Sequence, residues 1–287
     1  MRVFVPVDTT ARSLGADAVA AALAAEAARR GAKVEIVRNG SRGLYWLEPL
    51  VEVDVDGTRM AYGPIASADV KGLFEADFLT GGKHARSLGP TEKIDYLAKQ
   101  TRLTFARVGI TDPVSLDDYR EHGGYRGLAN ALKMTGAQIV AAVTESGLRG
   151  RGGAAFPTGI KWNTVLGAAA DQKYVVCNAD EGDSGTFADR MIMESDPFVL
   201  IEGMTIAALA VGATKGFVYV RAEYPQAIRT MRLAIERATA AGYLGAGIGG
   251  SKHRFELEVR EAAGAYICGE ETSLLESLEG KRGMVRY

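Results

Sequence analysis

Cysteine is nearly absent from this chain of 287 residues, which has only Cys177 and Cys268. Two thiols can neither build a disulfide framework nor hold an iron–sulfur cluster through the usual four thiolates. Both lie in apolar segments without CxxC spacing and read as buried, reduced thiols of a cytoplasmic protein. A long apolar run is missing too. The most apolar stretch, Phe198 to Val211, is interrupted by Glu202 and falls short of the roughly 18 residues a membrane span needs, so it reads as a buried helix. No charge dominates: 34 Lys and Arg face 35 Asp and Glu, leaving a net charge of −1. That excludes a global basic field for nucleic acid and an acidic tail. The opening MRVFVPVD reads as a strand and lacks the charged–apolar–small order of a signal peptide. No nucleic-acid partner and no direct membrane insertion are expected.

Glycine, by contrast, is plentiful, and it concentrates in GLRGRGGAAFPTGIKW, from Gly147 to Trp162. Glycine lets main-chain N–H groups approach a ligand closely. Arg149, Arg151 and Lys161 add positive charge, and an arginine fork can grip phosphate with two hydrogen bonds. Phe156 offers a flat apolar face, and Pro157 stiffens the turn. The stretch reads either as a cradle for a phosphorylated aromatic cofactor or as a glycine-rich surface loop. It is neither a Walker A loop nor a strict GxGxxG.

Taken in order, residues 2–7 form a strand, Ser13 to Arg30 an alanine-rich helix stopped by Gly31, and Lys33 to Arg38 a second strand. Two alternating strands about Asp56-Gly57 form a hairpin, and a short helix follows from Ala68 to Phe74. This β-α-β, β-β-α order is thioredoxin-like, but the redox cysteines of an active thioredoxin are missing. Residues 78–90, with little periodicity, mark the best linker candidate. The expected division is residues 1–80, a linker at 81–100, and a second domain at 101–287. Ser115 and Thr135 sit where helices begin. Then Tyr174–Cys177 reads as a parallel strand covered on both faces, ending in polar residues at the carboxyl end of a central strand. Strand–helix alternation continues through Gly216–Val220, Pro225–Ala241 and Phe255–Val259, which argues for a doubly wound parallel sheet. The literal GxGxxG from Gly245 to Gly250 follows a helix and precedes a strand, the reverse of the dinucleotide fingerprint, and reads as a flexible connection.

Three blocks carry a family resemblance: the glycine loop, CNADEGDSGTFADR from Cys177, and GAYICGEETSLLESLEG from Gly264. In this order they resemble the FMN- and NADH-binding subunit of respiratory complex I and its relatives, the diaphorase subunits of soluble NAD-dependent formate dehydrogenases and NAD-reducing hydrogenases. The likeness covers roughly residues 95 to 287. It implies an α/β fold, with a thioredoxin-like domain followed by a Rossmann-like parallel-sheet domain that binds FMN and NADH.

The resemblance also implies roles. Gly150, Arg151, Gly152 and Gly153 would wrap FMN, and Lys161 would bond its phosphate or ribityl chain. Asn178, Asp180 and Glu181 would contact the ring and ribityl group, and Tyr266, Gly269 and Glu270 would approach the same cofactor. Phe156 would stack on the nicotinamide, Glu271 would accept the adenosine ribose hydroxyls, and Asp183 would serve nucleotide binding. Read from residue types alone, Lys161 could instead be solvated, Phe156 a core aromatic, the Asn178–Asp183 run a polar turn, and the paired glutamates a helix start. A carboxylate at Glu271 repels a 2′-phosphate and so favours NAD over NADP.

Departures from the family point further. Asp183 stands where complex I subunits carry glutamate, and Gly182 and Ser184 replace other family residues, which moves the match towards the formate dehydrogenase and hydrogenase branch. Asn163-Thr164-Val165 provides no aromatic clamp for adenine. The stretch Asn39 to Pro49 has none of the cysteines that hold a two-iron cluster in relatives. The cysteines of the family's four-iron (4Fe-4S) cluster are not in this sequence, which reads as a fragment of a longer subunit. The expected protein is the diaphorase (beta) subunit of a cytoplasmic NAD-dependent formate dehydrogenase, passing hydride between FMN and NAD and single electrons between FMN and iron–sulfur clusters. Its expected partners are a thioredoxin-like 2Fe-2S gamma subunit and a formate-oxidising molybdenum or tungsten alpha subunit. The alternatives are the same subunit of complex I or of an NAD-reducing hydrogenase, or a non-catalytic assembly module.

Overall fold

Val3 and Val5 alternate into a core, and Pro6 has no N–H to give, so the first regular strand is short: β1, Arg2–Phe4. Pairing persists beyond it, as Val5 and Val7 still donate to the carbonyls of Val37 and Asn39. These are observations of a computed structural model that describes residues 1–183 and 185–286; Ser184, named above, lies outside the described residues.

The long alanine-rich helix is divided. Helix α1 (Thr9–Ser13), capped by Asp8, and helix α2 (Ala16–Arg29) are separated because Gly15 takes the left-handed conformation, φ +100°. Strand β2 (Glu35–Val37) pairs parallel to β1. Strands β3 (Val51–Val55) and β4 (Thr58–Tyr62) form the expected hairpin, with Asp56 and Gly57 both at positive φ as its turn requires. Helix α3 (Val70–Glu75), strand β5 (Ser87–Pro90) and helix α4 (Asp95–Ala98) follow. The sheet order β2-β1-β3-β4-β5 has the thioredoxin-like arrangement in its first four strands. Its core joins Val3, Val51 and Val53 to Val19, Leu23 and Ala27 of α2. Small alanines let that helix lie close on the sheet.

Residues 81–100 are not an unstructured linker. β5 pairs antiparallel with β4, and Thr91 and Leu97 are buried, so the segment belongs to the first sheet. By packing, the first compact unit runs from Met1 to Asp118 and includes Glu194–Asp196; the second comprises Tyr119–Met193 and Pro197–Tyr287.

Helix α5 (Leu116–Glu121) begins where expected, with the Asp118 N–H donating to the Ser115 hydroxyl. The chain then forms α6 (Arg126–Ala131), α7 (Gly136–Glu145, capped by Thr135), α8 (Thr158–Gly167), β6 (Tyr174–Ala179), α9 (Ala188–Ser195), α10 (Pro197–Val211), β7 (Lys215–Arg221), α11 (Pro225–Ala240), β8 (Gly245–Ala246), β9 (Arg254–Ala262) and α12 (Glu271–Leu278). Helix α10 is buried as its composition predicts, and Glu202 within it is not a flaw. Its carboxylate accepts from the Tyr119 hydroxyl (2.5 Å) and from the Tyr125 and Leu128 N–H groups (both 2.8 Å), capping α6 from the interior.

Strands β6, β7 and β9 are parallel, and β8 adds antiparallel to β9, in the order β6-β7-β9-β8. Helices α10 and α11, which lie in the connections from β6 to β7 and from β7 to β9, pack against one another. Helix α12 covers the opposite side of β7, with the Tyr219 hydroxyl bonded to Ser277 and the ring among Cys268 and Leu274.

Three expectations give way to the observed topology. Tyr174–Cys177 is not a central strand covered on both faces: β6 is an edge strand, and Tyr174 is exposed. The described parallel strands follow chain order without a reversal, so no doubly wound switch point forms among them. Gly245–Gly250 is no loose connection either, because Gly245 and Ala246 pair with Phe255 and Arg254 and the left-handed glycines shape a tight turn after them.

Candidate functional site

The glycine loop closes on itself. Gly150 N–H donates to Phe156 C=O (2.9 Å), Thr158 N–H to Leu148 C=O (2.9 Å), and Arg149 faces Pro157 in an isolated bridge. Arg149 Nη1 ties down the Ala155 carbonyl, and Arg151 Nη1 the Arg149 carbonyl. The small hairpin delivers the chain into α8. There Gly159 meets α7 so closely that a Cβ would lie 2.2 Å from Thr144 Oγ1 and 2.6 Å from its Cα. Gly152 and Gly153 are of another kind. Neither has a left-handed φ, and a Cβ on either would meet nothing within 4 Å. Fold geometry does not demand glycine there, and the space in front of them is open.

That space is a cavity of about 660 Å³, within the range of small-molecule sites. Arg151, Gly152 and Gly153 line one side. The end of β6 supplies Asn178, Glu181 and Asp183, and the turn before α12 supplies Tyr266, Gly269 and Glu270. Asn178 joins these last two walls: its Nδ2 donates to the Gly269 carbonyl at 2.8 Å. Glu181, held at φ +42°, accepts from Asp189 N–H (2.7 Å), Arg190 N–H (3.0 Å) and the Tyr224 hydroxyl (3.0 Å), so it caps α9. The Tyr266 hydroxyl donates to Asp183 Oδ1 at 2.7 Å, and its ring is 71% exposed across the cavity mouth. Glu270 accepts from Thr272 and Ser273 at the start of α12, and the Thr272 hydroxyl foremost among these donors holds its carboxyl at about 2.

The remaining expected site residues stand outside the cavity wall. Gly150 supports the hairpin, and Phe156 is half exposed on it. Lys161 and Glu271 are exposed and face each other at 3.7 Å. Asp180 is buried behind Gly182 and Gly269, where its Oδ1 has no hydrogen-bond partner among the described residues, and burial pushes its carboxyl above the ordinary range.

The cavity also holds residues that sequence reading passed over. Cys177, read as a buried core thiol, lines it; burial and Asp189 push its thiol up to about 12, so it stays protonated. Asp189 itself lines it, beside the apolar Ile192, Met193 and Leu200. Asp189 and Cys177 both belong to the second motif block, so block membership was the available signal. Among the described residues no cluster of His, Cys, Asp and Glu could hold a metal ion, and no helix is long and apolar enough to cross a membrane.

The pattern of the Nuo51 FMN-binding domain family matches residues 143–287, half of the chain and all three motif blocks. This chain belongs to that family. The Nuo51 relatives include the NADP-reducing hydrogenase subunit HndC of Solidesulfovibrio fructosivorans, 55% identical over 185 residues, which are 64% of this chain and 38% of that protein. An NADH-quinone oxidoreductase subunit of Rhizobium meliloti is 55% identical over 180 residues, covering 62% of this chain and 43% of its own. Among solved structures, the NAD+-reducing [NiFe]-hydrogenase in its H2-reduced state aligns over 99% of this chain and 47% of that one, with 29% identity and a TM-score of 0.54. The chain thus spans about two fifths of the length of those curated relatives. The Nuo51 FMN-binding assignment fits the residues present: open volume at Gly152 and Gly153 beside Arg151, and a buried, unpartnered Asp180 oxygen behind the opposite wall.

Proposed function

We propose that this chain is the flavin- and NADH-binding part of a diaphorase subunit, of the kind found in complex I and in NAD(P)-reducing hydrogenases. The observation that carries the reading is the convergence on one cavity of Arg151 with the two unobstructed glycines, the polar end of β6, and the Tyr266–Glu270 turn. Bound FMN would supply the hydride acceptor and the means of passing electrons on singly.

The protein's own work is positioning. Arg151 offers a guanidinium to a phosphate, and Asn178 and the Gly269 segment hold one wall rigid. Glu270 keeps its charge at any physiological pH. Phe156 presents a face on which a nicotinamide can stack. Lys161 and Glu271 lie near enough to exchange each other for the phosphate and ribose groups of the ligands. Asp180, Glu181 and Asp183 secure the floor and mouth. Glu271 opposes a 2′-phosphate, while Lys161 beside it reduces that repulsion; one relative bears the name NADP-reducing, so selectivity for NAD is part of what is tested.

The named relatives favour hydrogen or a quinone-linked chain as the other end of the electron path, over the formate dehydrogenase expected from the motif variant. A formate-oxidising molybdenum or tungsten subunit remains a finer proposal, as do iron–sulfur partner subunits, a 4Fe-4S cluster and a cytoplasmic location.

The test is anaerobic titration of the full-length, flavin-loaded protein with NADH and separately with NADPH, following the flavin's visible absorbance. Bleaching by NADH and not by NADPH is the expected result. Bleaching by both would assign Lys161 the stronger influence on selectivity. No bleaching with flavin bound would overturn the diaphorase reading in favour of a non-catalytic binding module.

A further inference from the structure

Four carboxylates line the cavity: Glu181, Asp183, Asp189 and Glu270. Three are engaged. Glu181 is bound by Asp189 N–H, Arg190 N–H and the Tyr224 hydroxyl, Asp183 by the Tyr266 hydroxyl, and Glu270 by Thr272 and Ser273. Asp189 has no donor among the described residues, although its own N–H is taken by Glu181. Its position follows from the sequence. Glu181 caps α9 through the Asp189 and Arg190 N–H groups, which places Asp189 in the first turn of that helix, on the cavity wall with Cys177, Ile192, Met193 and Leu200.

We infer that Asp189 is the proton-holding residue of this cavity, taking a proton onto its carboxylate when a bound ring gains negative charge and returning it to water when that charge leaves. The inference rests on the flavin reading above.

The neighbours leave the task to Asp189. Burial, with Glu181 beside it, raises the Asp189 carboxyl to about 6, so it is mostly ionised at neutral pH and close to taking a proton. The Cys177 thiol, at about 12, cannot give one up. Glu270, at about 2, cannot accept one. Arg151 faces the same cavity from the glycine loop and Arg190 follows Asp189 on α9, but the charge that acts on the Asp189 carboxyl is that of Glu181. Asp180 also lies above its ordinary range, but it is buried behind Gly182 and does not line the cavity.

The balance is simple. A hydride brings two electrons and one proton, which leaves one extra negative charge in the cavity; Asp189 takes one proton from water and becomes neutral. When the two electrons depart singly, the proton that came with the hydride leaves the ring for solvent and the Asp189 proton follows it, so two protons leave with two electrons. A second unpaired charge in a low-dielectric site is thereby avoided.

The experiment uses the full-length, flavin-loaded protein, reduced photochemically at pH 7, with reduced-minus-oxidised infrared difference spectra and a pH-indicator dye. Wild type is expected to show a protonated-carboxyl band that is missing in Asp189→Asn, and to take up roughly one proton more per flavin than that variant. Equal proton uptake, or no such band in wild type, would overturn the inference. If Asp189→Asn fails to hold flavin, Asp189→Glu replaces it, and an unshifted band there equally overturns the assignment. Photochemical reduction does not involve NADH, so failure of NADH to bleach the flavin counts against the diaphorase reading alone.

Discussion

Among single residues, the glycines of the glycine-rich loop have different reasons to be there. Gly159 is required by packing, because Thr144 occupies the place of its Cβ. Gly153 is not required by packing or by φ, and its open side faces the cavity. Gly153→Ala is therefore expected to leave the stability of the flavin-free protein unchanged while weakening FMN binding roughly tenfold or more, about 1.4 kcal/mol. Flavin fluorescence titration beside thermal unfolding checks both halves; equal FMN affinity would mean that the cofactor does not approach this wall. Residue type pointed to close approach of a ligand at this loop. It could not separate Gly153 from Gly159, since that distinction depends on Thr144, which precedes the loop on α7.

Among elements, the crossing of α7 and α8 positions the loop between them. Gly159→Ala must push Thr144 aside or part the helices, at a cost of about 1–3 kcal/mol, and it shifts the hairpin that carries Arg151. Gly167→Ala, on the same helix with nothing within 4 Å of the added Cβ, should be neutral or stabilise by about 0.5 kcal/mol. Urea midpoints of the two variants decide it: similar values would show that the close crossing is not enforced. Most elements were legible in the sequence. Thr135 with Gln138 marks a capping box, Asp56-Gly57 marks a hairpin, and the apolar stretch after Pro197 marks a buried helix. Less legible was where a strand sits in its sheet. Val175 and Val176 have the composition of a strand covered on both sides, yet β6 is an edge, since strand order depends on how distant segments pair.

For the molecule as a whole, the unusual carboxyls predict how stability varies with pH. Burial, reinforced by Asp8, raises Glu48 to about 8, and burial raises Asp189 to about 6. The folded state holds those protons where the unfolded chain has lost them, so their contribution is full below the ordinary carboxylate range and disappears as pH climbs through 6 and 8. Glu26, bound by Arg29 and Arg30, and Glu279, bound by Lys281 and Arg286, are lowered to about 2; their contribution is lost as pH falls towards that value. Greatest stability is therefore expected in mildly acidic solution. Glu48 dominates the alkaline side, with each unit of its shift worth roughly 1.4 kcal/mol. Glu48→Gln should flatten the decline between about pH 5 and 8. Denaturant unfolding at several pH values checks this, and an unchanged slope would remove Glu48 as its source.

Most of the elements, the order of the three motif blocks and the family to which they belong could be read along the chain, because capping residues, hydrophobic alternation and motif spacing are local properties. Folding in three dimensions was needed to make residues 81–100 complete a sheet, to put β6 at an edge, and to tie Asn178 to Gly269. The same holds for which carboxylates are satisfied. Glu181 and Glu202 look like ordinary acidic residues in sequence, and each becomes a helix cap only when a particular N–H group is brought to it, whereas Glu270 caps its own helix through residues two and three positions on. Asp189 is distinguished from them by the donor it lacks among the described residues, and hydrogen-bond partnership between distant segments is a property of the folded chain.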